Sequence, residues 1–281
     1  MGSIEQMQTA QNGVRYSSKL MTALNRFTAG LATEVANPLK AKFGKAYDHL
    51  ITGDTHRYRE EIETAIAHYE QALELRSDFT EAYIGIAKCY RRKGDVQSAI
   101  DYLTTALEQN AFRKELHLDI AKCFAETGFT AKSTHHYERV IKLDRRNVEA
   151  RFGLALVVET NNDLDYAIKL YQEIIEIENE FLPAYNNLGS IYMRVGRYND
   201  AENLFRSLVA KAPEFSRGHL GLAITLDKAG KFVEALDCYQ LVLRMRPTTK
   251  NAEFIEKRII HLNKELGRVK TRKNTTLVLV K

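Results

Sequence analysis

The feature that most constrains this chain is a period of 34 residues. Ala65, Ala99, Ala167, Ala201 and Ala235 fall on one ladder of that step, with Ser133 on the remaining rung. Four residues after each rung stands a large side chain: Tyr69, Leu103, Tyr137, Tyr171, Phe205 and Tyr239. A small residue lets two helices approach, and a large one a turn later fills the gap. A second ladder, Ala87, Ala121, Ala155, Gly189 and Ala223, is preceded at each rung by Ile86, Ile120, Leu154, Leu188 and Leu222, and marks the packing face of another helix. Tyr90, Phe124, Val158, Tyr192 and Leu226 continue that stripe at helical spacing. Between the two helices, Gly94, Gly128, Asn162, Gly196 and Gly230 are residue types that tolerate a left-handed helix cap. Each unit reads helix, tight turn, helix, and the expected fold is all-α, an α-solenoid of stacked helical hairpins.

These spacings resemble the tetratricopeptide repeat, with its fixed alternation of small and large apolar positions and its late proline. The resemblance covers five full units, 80–113, 114–147, 148–181, 182–215 and 216–249. The early tryptophan of the family pattern is replaced by Tyr83, His117, Arg151, Tyr185 and His219, and the late proline stands only at Pro213 and Pro247. Membership would imply a right-handed superhelix. Residues 37–79 read as a degenerate first unit or N-terminal cap: Ile62, Ala65, Ile66, Tyr69, Ala72 and Leu73 mark its second helix, and its first, around 38–51, starts at Asn37-Pro38. Upstream, Leu20, Leu24, Phe27, Leu31 and Val35 mark an amphipathic helix over 17–36, after a flexible stretch 1–16. Downstream, Ile255, Ile259, Leu262 and Leu266 lie on one face of a capping helix within 250–267, and 268–281 is a basic and apolar tail.

Charge narrows the partner classes. Lys and Arg number 41 against 36 Asp and Glu, but residues 257–281 hold eight basic side chains and one Glu, which leaves the rest slightly acidic. That distribution argues against a body-wide nucleic-acid surface, so nucleic acid is not the expected partner; RNA binding by a helical-repeat surface is the alternative from another class. The three cysteines show no metal-ligand spacing, and their odd number fits a reducing compartment, so a cytoplasmic location is expected. No basic-then-apolar leader is evident, and no stretch approaches the about 20 apolar residues of a membrane helix. Gln6 stands where a myristoylation pattern wants Ser or Thr.

The sequence carries no phosphate loop, GxGxxG, HExxH or GxSxG, so no catalysis, cofactor or metal is expected. Adjacent His135 and His136 would point about 100° apart on a helix, which suits a surface pair rather than a chelate. His117 and His219 take the place of a packing aromatic, and Cys89 and Cys123, one period apart, read as small buried hydrophobes.

The family resemblance implies a concave groove lined by the first helix of each unit. Its candidates for holding a protein partner are Lys88, Arg91 and Arg92, then Asp119, Lys122 and Glu126, then Phe152, Leu156 and Glu159. Further along stand Asn186, Asn187, Ser190 and Arg194, then Leu220, Asp227 and Lys228. The family's clamp for chaperone C-termini is not matched: Phe152, Leu156 and Gly221 stand where it needs Lys, Asn and Arg. The tail reads as a solvated arm or, through Arg272 and Lys273 with Leu277 and Leu279, as a docking strand; helix 17–36 reads as a further cap on the first unit or as a segment that engages a partner helix, and either segment in its second reading would support self-association. The expected function is a protein–protein adaptor or assembly scaffold that takes a peptide or helix in the groove; the alternatives are RNA binding and self-assembly.

Overall fold

The computed structural model describes residues 44–267 and, in the tail, 269–270 and 278–279. The expected segments 1–16 and 17–36 lie outside the described residues, as do Arg272, Lys273 and Leu277 of the tail. Among the described residues there are thirteen helices: α1 over 44–58, α2 Ile62–Leu75, α3 Thr80–Lys93, α4 Val96–Gln109, α5 Lys114–Glu126, α6 Thr130–Leu143 and α7 Val148–Thr160. They continue as α8 Leu164–Ile177, α9 Leu182–Arg194, α10 Tyr198–Lys211, α11 Ser216–Lys228, α12 Phe232–Met245 and α13 Ala252–Glu265. Two short strands, β1 Val269–Lys270 and β2 Val278–Leu279, pair antiparallel, with Val269 opposite Leu279. The architecture is all-α, of the α-solenoid class, and α1 runs to residue 58, beyond the expected end at 51.

The described residues divide into two compact units, the first ending at 162 and the second beginning at 163. In the first, α1/α2, α3/α4 and α5/α6 are hairpins and α7 packs on α6. In the second, α8 packs on α9, the hairpins α9/α10 and α11/α12 follow, and α13 packs on α12.

The tight turns are made as their residue types require. Gly94, Gly128, Asn162, Gly196 and Gly230 all have positive φ, and so does Glu60 at 66°, which holds the same place in the first hairpin. After each of the glycines, and after Glu60, the next backbone N–H folds back on the helix just ended. Asp95 donates to the Tyr90 carbonyl at 3.0 Å, Phe129 to Phe124 at 2.9 Å, and Glu61 to His56 at 3.0 Å. This contact satisfies a carbonyl that the helix end would leave unpaired.

Both ladders are buried. Ala65, Ala99, Ala167, Ala201 and Ala235 are fully inaccessible, and Ser133 is tolerated among them because its hydroxyl donates to the Ala121 carbonyl at 2.8 Å. The large residues fill a slot between two first helices. The Tyr69 ring lies against Gly53 of α1 and Gly85 of α3, and the Phe205 ring against Gly189 of α9 and Gly221 of α11; a methyl group at any of these glycines would overlap the ring. Tyr137 meets Gly153 of α7 in the same way. Where the slot holds the smaller Leu103, the matching position of the next helix is Asp119 instead of glycine. The position is not always glycine where the ring is large: Asn187 holds it opposite Tyr171 and donates to its hydroxyl at 3.1 Å.

Helix α13 departs from the ladder. The rung that places Ala223 on α11 places Lys257 on α13. Its side chain is 74 % exposed and pairs with Glu253 at 2.6 Å. Ile255 and Leu262 are buried on the opposite side of the helix.

Candidate functional site

In the first unit, α1, α3, α5 and α7 are the first helices of successive hairpins, and neighbours α3 and α5, then α5 and α7, touch. Because each presents the same face, residues one period apart fall into rows. The rows line an open cleft of about 450 Å³. Its floor is Leu50, Ile84, Gly85 and Leu118. Along one side runs an acidic row, Glu81, Glu115 and Glu149, each in the first turn of its helix, where the helix dipole favours a carboxylate. Toward the helix C-termini lie Asp54 and Arg57 of α1, Lys88 of α3, and Asp119 and Lys122 of α5.

Most of these charges are already paired. Arg57 donates to Asp54 at 2.9 Å and to the Tyr69 hydroxyl at 3.1 Å, and that hydroxyl donates to Asp54 at 2.8 Å. Burial, then the Asp54 charge, raises the Tyr69 phenol pKa, so the triad holds one fixed proton pattern. Arg113 bridges Glu81 at 2.8 Å and Glu115 at 3.6 Å, and Lys122 pairs with Glu149 at 2.6 Å. Two groups differ. Lys88 has no ion-pair partner among the described residues, and its side chain faces the cleft. Asp119 is 9 % exposed and accepts no hydrogen bond among the described residues; its nearest cation, Lys122, stands 3.8 Å away.

The expected basic cluster is divided by this geometry. Only Lys88 of the three lines the cleft: Arg91 is bound through its guanidinium to Glu126, and Arg92 to Glu60. Arg91 and Glu126, both expected to face a partner, neutralise each other across two hairpins. Phe152 and Leu156 are half-buried on α7, with Glu159 near its end. The sequence reading missed Leu50, Asp54, Arg57, Ile84, Leu118 and the row Glu81, Glu115 and Glu149. The signal was available: Asp54 and Arg57 stand one period before Lys88 and Arg91, and the three glutamates are one period apart.

In the second unit, the amides are occupied with local contacts. Asn187 donates to the Tyr171 hydroxyl at 3.1 Å, the Asn186 side-chain amide to Oδ1 of Asn187 at 3.3 Å, and the Ser190 hydroxyl to the Asn186 backbone carbonyl at 2.9 Å. Arg194 and Lys228 are exposed. Asp227 accepts from Nε and Nη2 of Arg258, each at 2.6 Å, and from the Tyr239 hydroxyl at 3.2 Å. It ties α13 to α11. Leu279 lies in β2, opposite Val269.

Four of the eight histidines meet in two pairs. His117 is buried, its Nε2 faces the Ala111 carbonyl at 3.0 Å, and its Nδ1 lies 3.0 Å from Nδ1 of His136. With Nε2–H given to the carbonyl, Nδ1 of neutral His117 accepts the proton of His136 Nδ1. Burial lowers both pKa values, that of His136 to about 4. His49 and His68 repeat the pair two periods upstream, at 3.3 Å. His135 is exposed and edge-on to His136. Burial pushes the Cys89 thiol up to about 11 and that of Cys123 to about 12, which leaves both as protonated packing groups. Among the described residues no three His, Cys, Asp or Glu side chains could hold a metal ion, and no helix is long and apolar enough to cross a membrane.

Comparison with known proteins agrees with the hairpin architecture. A family model described as tetratricopeptide repeat matches residues 52–114, 118–180 and 186–248, each match spanning two hairpin lengths. The TPR repeat-containing protein MJ1428 of Methanocaldococcus jannaschii is 25 % identical over 193 residues, which is 65 % of this chain and 28 % of that protein; the chain thus spans little more than a quarter of its relative. Among solved structures, Pseudomonas aeruginosa pilF superposes with a TM-score of 0.65 at 12 % identity, covering 77 % of this chain and 99 % of pilF. YrrB, described as a TPR protein with an unusual peptide-binding site, superposes with a TM-score of 0.57 at 15 % identity over 67 % of this chain and 97 % of its own. The structural likenesses carry the fold alone, and the family model covers most of the sequence: the chain belongs to the tetratricopeptide-repeat family.

Proposed function

We propose that this protein is an interaction module whose first unit holds a linear segment of a partner protein in the cleft lined by α1, α3, α5 and α7, and so serves as an adaptor or assembly scaffold. The observation that carries the reading is the cleft itself. It has an apolar floor of Leu50, Ile84 and Leu118 between charged rows, the composition of a site that buries a peptide side chain and orients its neighbours. Paired charges such as Arg57 with Asp54 keep the walls fixed before a ligand arrives, which lowers the entropy lost on binding. The description of YrrB as peptide-binding supports the same use of the fold. The slightly acidic body favours a protein over RNA.

Site-specific photo-crosslinking tests this. A photoreactive residue replacing Lys88 is expected to capture one discrete protein in native extract, in competition with excess unmodified protein. The same group replacing exposed Thr105 on α4 is expected to capture none. Equal capture from both positions, or capture only of nuclease-sensitive material, would refute the reading.

A further inference from the structure

We propose that the cleft of the first unit selects a segment carrying both signs of charge: an acidic side chain set on Lys88, a basic one on Asp119 and an apolar one between them over Ile84 and Leu118. This rests on the reading of the cleft as a peptide site and adds what the peptide must be.

The argument is one of elimination among the charges lining the cleft. Asp54 is taken by Arg57, Glu81 and Glu115 by Arg113, and Glu149 by Lys122. What is left is one cation and one carboxylate. Lys88 has no ion-pair partner among the described residues, and Asp119 has only Lys122 at 3.8 Å, a lysine that sits closer, at 2.6 Å, to Glu149. Asp119 is also deep, at 9 % exposure, so a ligand lying over it strips the water that now solvates its accessible edge. A carboxylate covered without a donor is penalised, and a cationic or N–H-rich side chain removes the penalty. Lys88, at the surface, gains from a carboxylate and repels a second cation. A segment with two acidic side chains meets Asp119 with the wrong sign, and one with two basic side chains meets Lys88 likewise.

Spacing makes the proposal specific. Lys88 and Asp119 lie on neighbouring first helices, α3 and α5, which touch. Packed helix axes stand about 8–10 Å apart, and Lys88 is three residues further along its helix than the residue equivalent to Asp119, an axial offset of about 4.5 Å. The two charges are therefore roughly 10 Å apart, which a polyproline-II segment, at about 3.1 Å per residue and three residues per turn, covers in about three residues with both side chains on one face. The matching core is acidic, apolar, apolar, basic, in one of its two orders.

Fluorescence anisotropy of the full chain with labelled peptides tests it, using one Gly-Ser frame around four cores: Glu-Leu-Leu-Lys, Lys-Leu-Leu-Glu, Glu-Leu-Leu-Glu and Lys-Leu-Leu-Lys. At least one mixed core is expected to bind about tenfold tighter than both single-sign cores. Lys88→Glu, at an exposed position that leaves the fold intact, is expected to move the preference to the all-basic core; Asp119→Asn, checked for helical content, is expected to erase the advantage of the mixed core over the all-acidic one. A single-sign core that binds as tightly as the mixed ones, or a ranking that Lys88→Glu leaves unchanged, overturns this proposal while the peptide-site reading stands. No measurable binding of any core removes the peptide-site reading, and this proposal with it.

Discussion

Single residues set the local tolerances of the fold, and two of them are at odds with their neighbours. Glu60 adopts φ 66° where the other hairpins use Gly or Asn. A left-handed conformation costs a residue with a Cβ about 1–2 kcal/mol, and its exposed ion pair with Arg92 returns at most about 1 kcal/mol. Glu60→Gly is thus expected to stabilise the chain by up to about 1 kcal/mol in denaturant unfolding; a lower midpoint would show that the ion pair outweighs the backbone strain. The second is the pair His117 and His136, held neutral by burial. A base whose folded pKa lies below its unfolded value of about 6.5 binds more protons when unfolded, so stability rises with pH. The contribution of His136 is therefore complete above about pH 6.5 and is lost as pH falls toward about 4, by an amount on the order of 1 kcal/mol once its partial exposure is allowed for. Thermal melts between these limits should slope less for His136→Phe than for the unaltered protein. Neither feature was legible in the sequence. Glu60 has no composition signal for a left-handed turn, and His136 faces His117 only because one helix returns along the other.

At the scale of the element, each helix was legible because its packing residues recur at fixed steps, and the turns because Gly94, Gly128, Asn162, Gly196 and Gly230 are types that accept positive φ. The charges were not. Many of their partners lie beyond their own hairpin, as in Arg91 with Glu126, Lys211 with Glu180 and Arg258 with Asp227, and a periodic sequence offers several equivalent partners for each. Helix α13 shows the consequence. Asp227 looks like a residue for a partner, but Arg258 covers it, leaving its side chain 11 % exposed. Arg258→Ala strips a nearly buried carboxylate of two charge-assisted bonds, leaving it the Tyr239 hydroxyl, and is expected to cost about 1.5–3 kcal/mol. Asp227→Asn in that background should recover part of the loss. If the double variant is no more stable than Arg258→Ala alone, the carboxylate is not the source of the cost.

For the whole molecule, the repeat explains why a fold could be read from ladders while a site could not. Ladder residues such as Ala87 and Tyr137 are fixed by packing and repeat with little variation, whereas cleft residues such as Asp54, Lys88 and Lys122 share a row and differ in sign. The sequence therefore indicates which face is free for a ligand, and only the pairing of charges in three dimensions shows which side chains remain available on it. The central claim is that the face formed by α3 and α5 in the first unit is where a partner lies. Amide hydrogen exchange of the full chain, with and without the partner captured at position 88, measures this most directly. Added protection is expected in α3 around Lys88 and in α5 around Asp119, with the second helices α4 and α6 unchanged. Protection confined to α4 and α6, or to the second unit, would contradict the account.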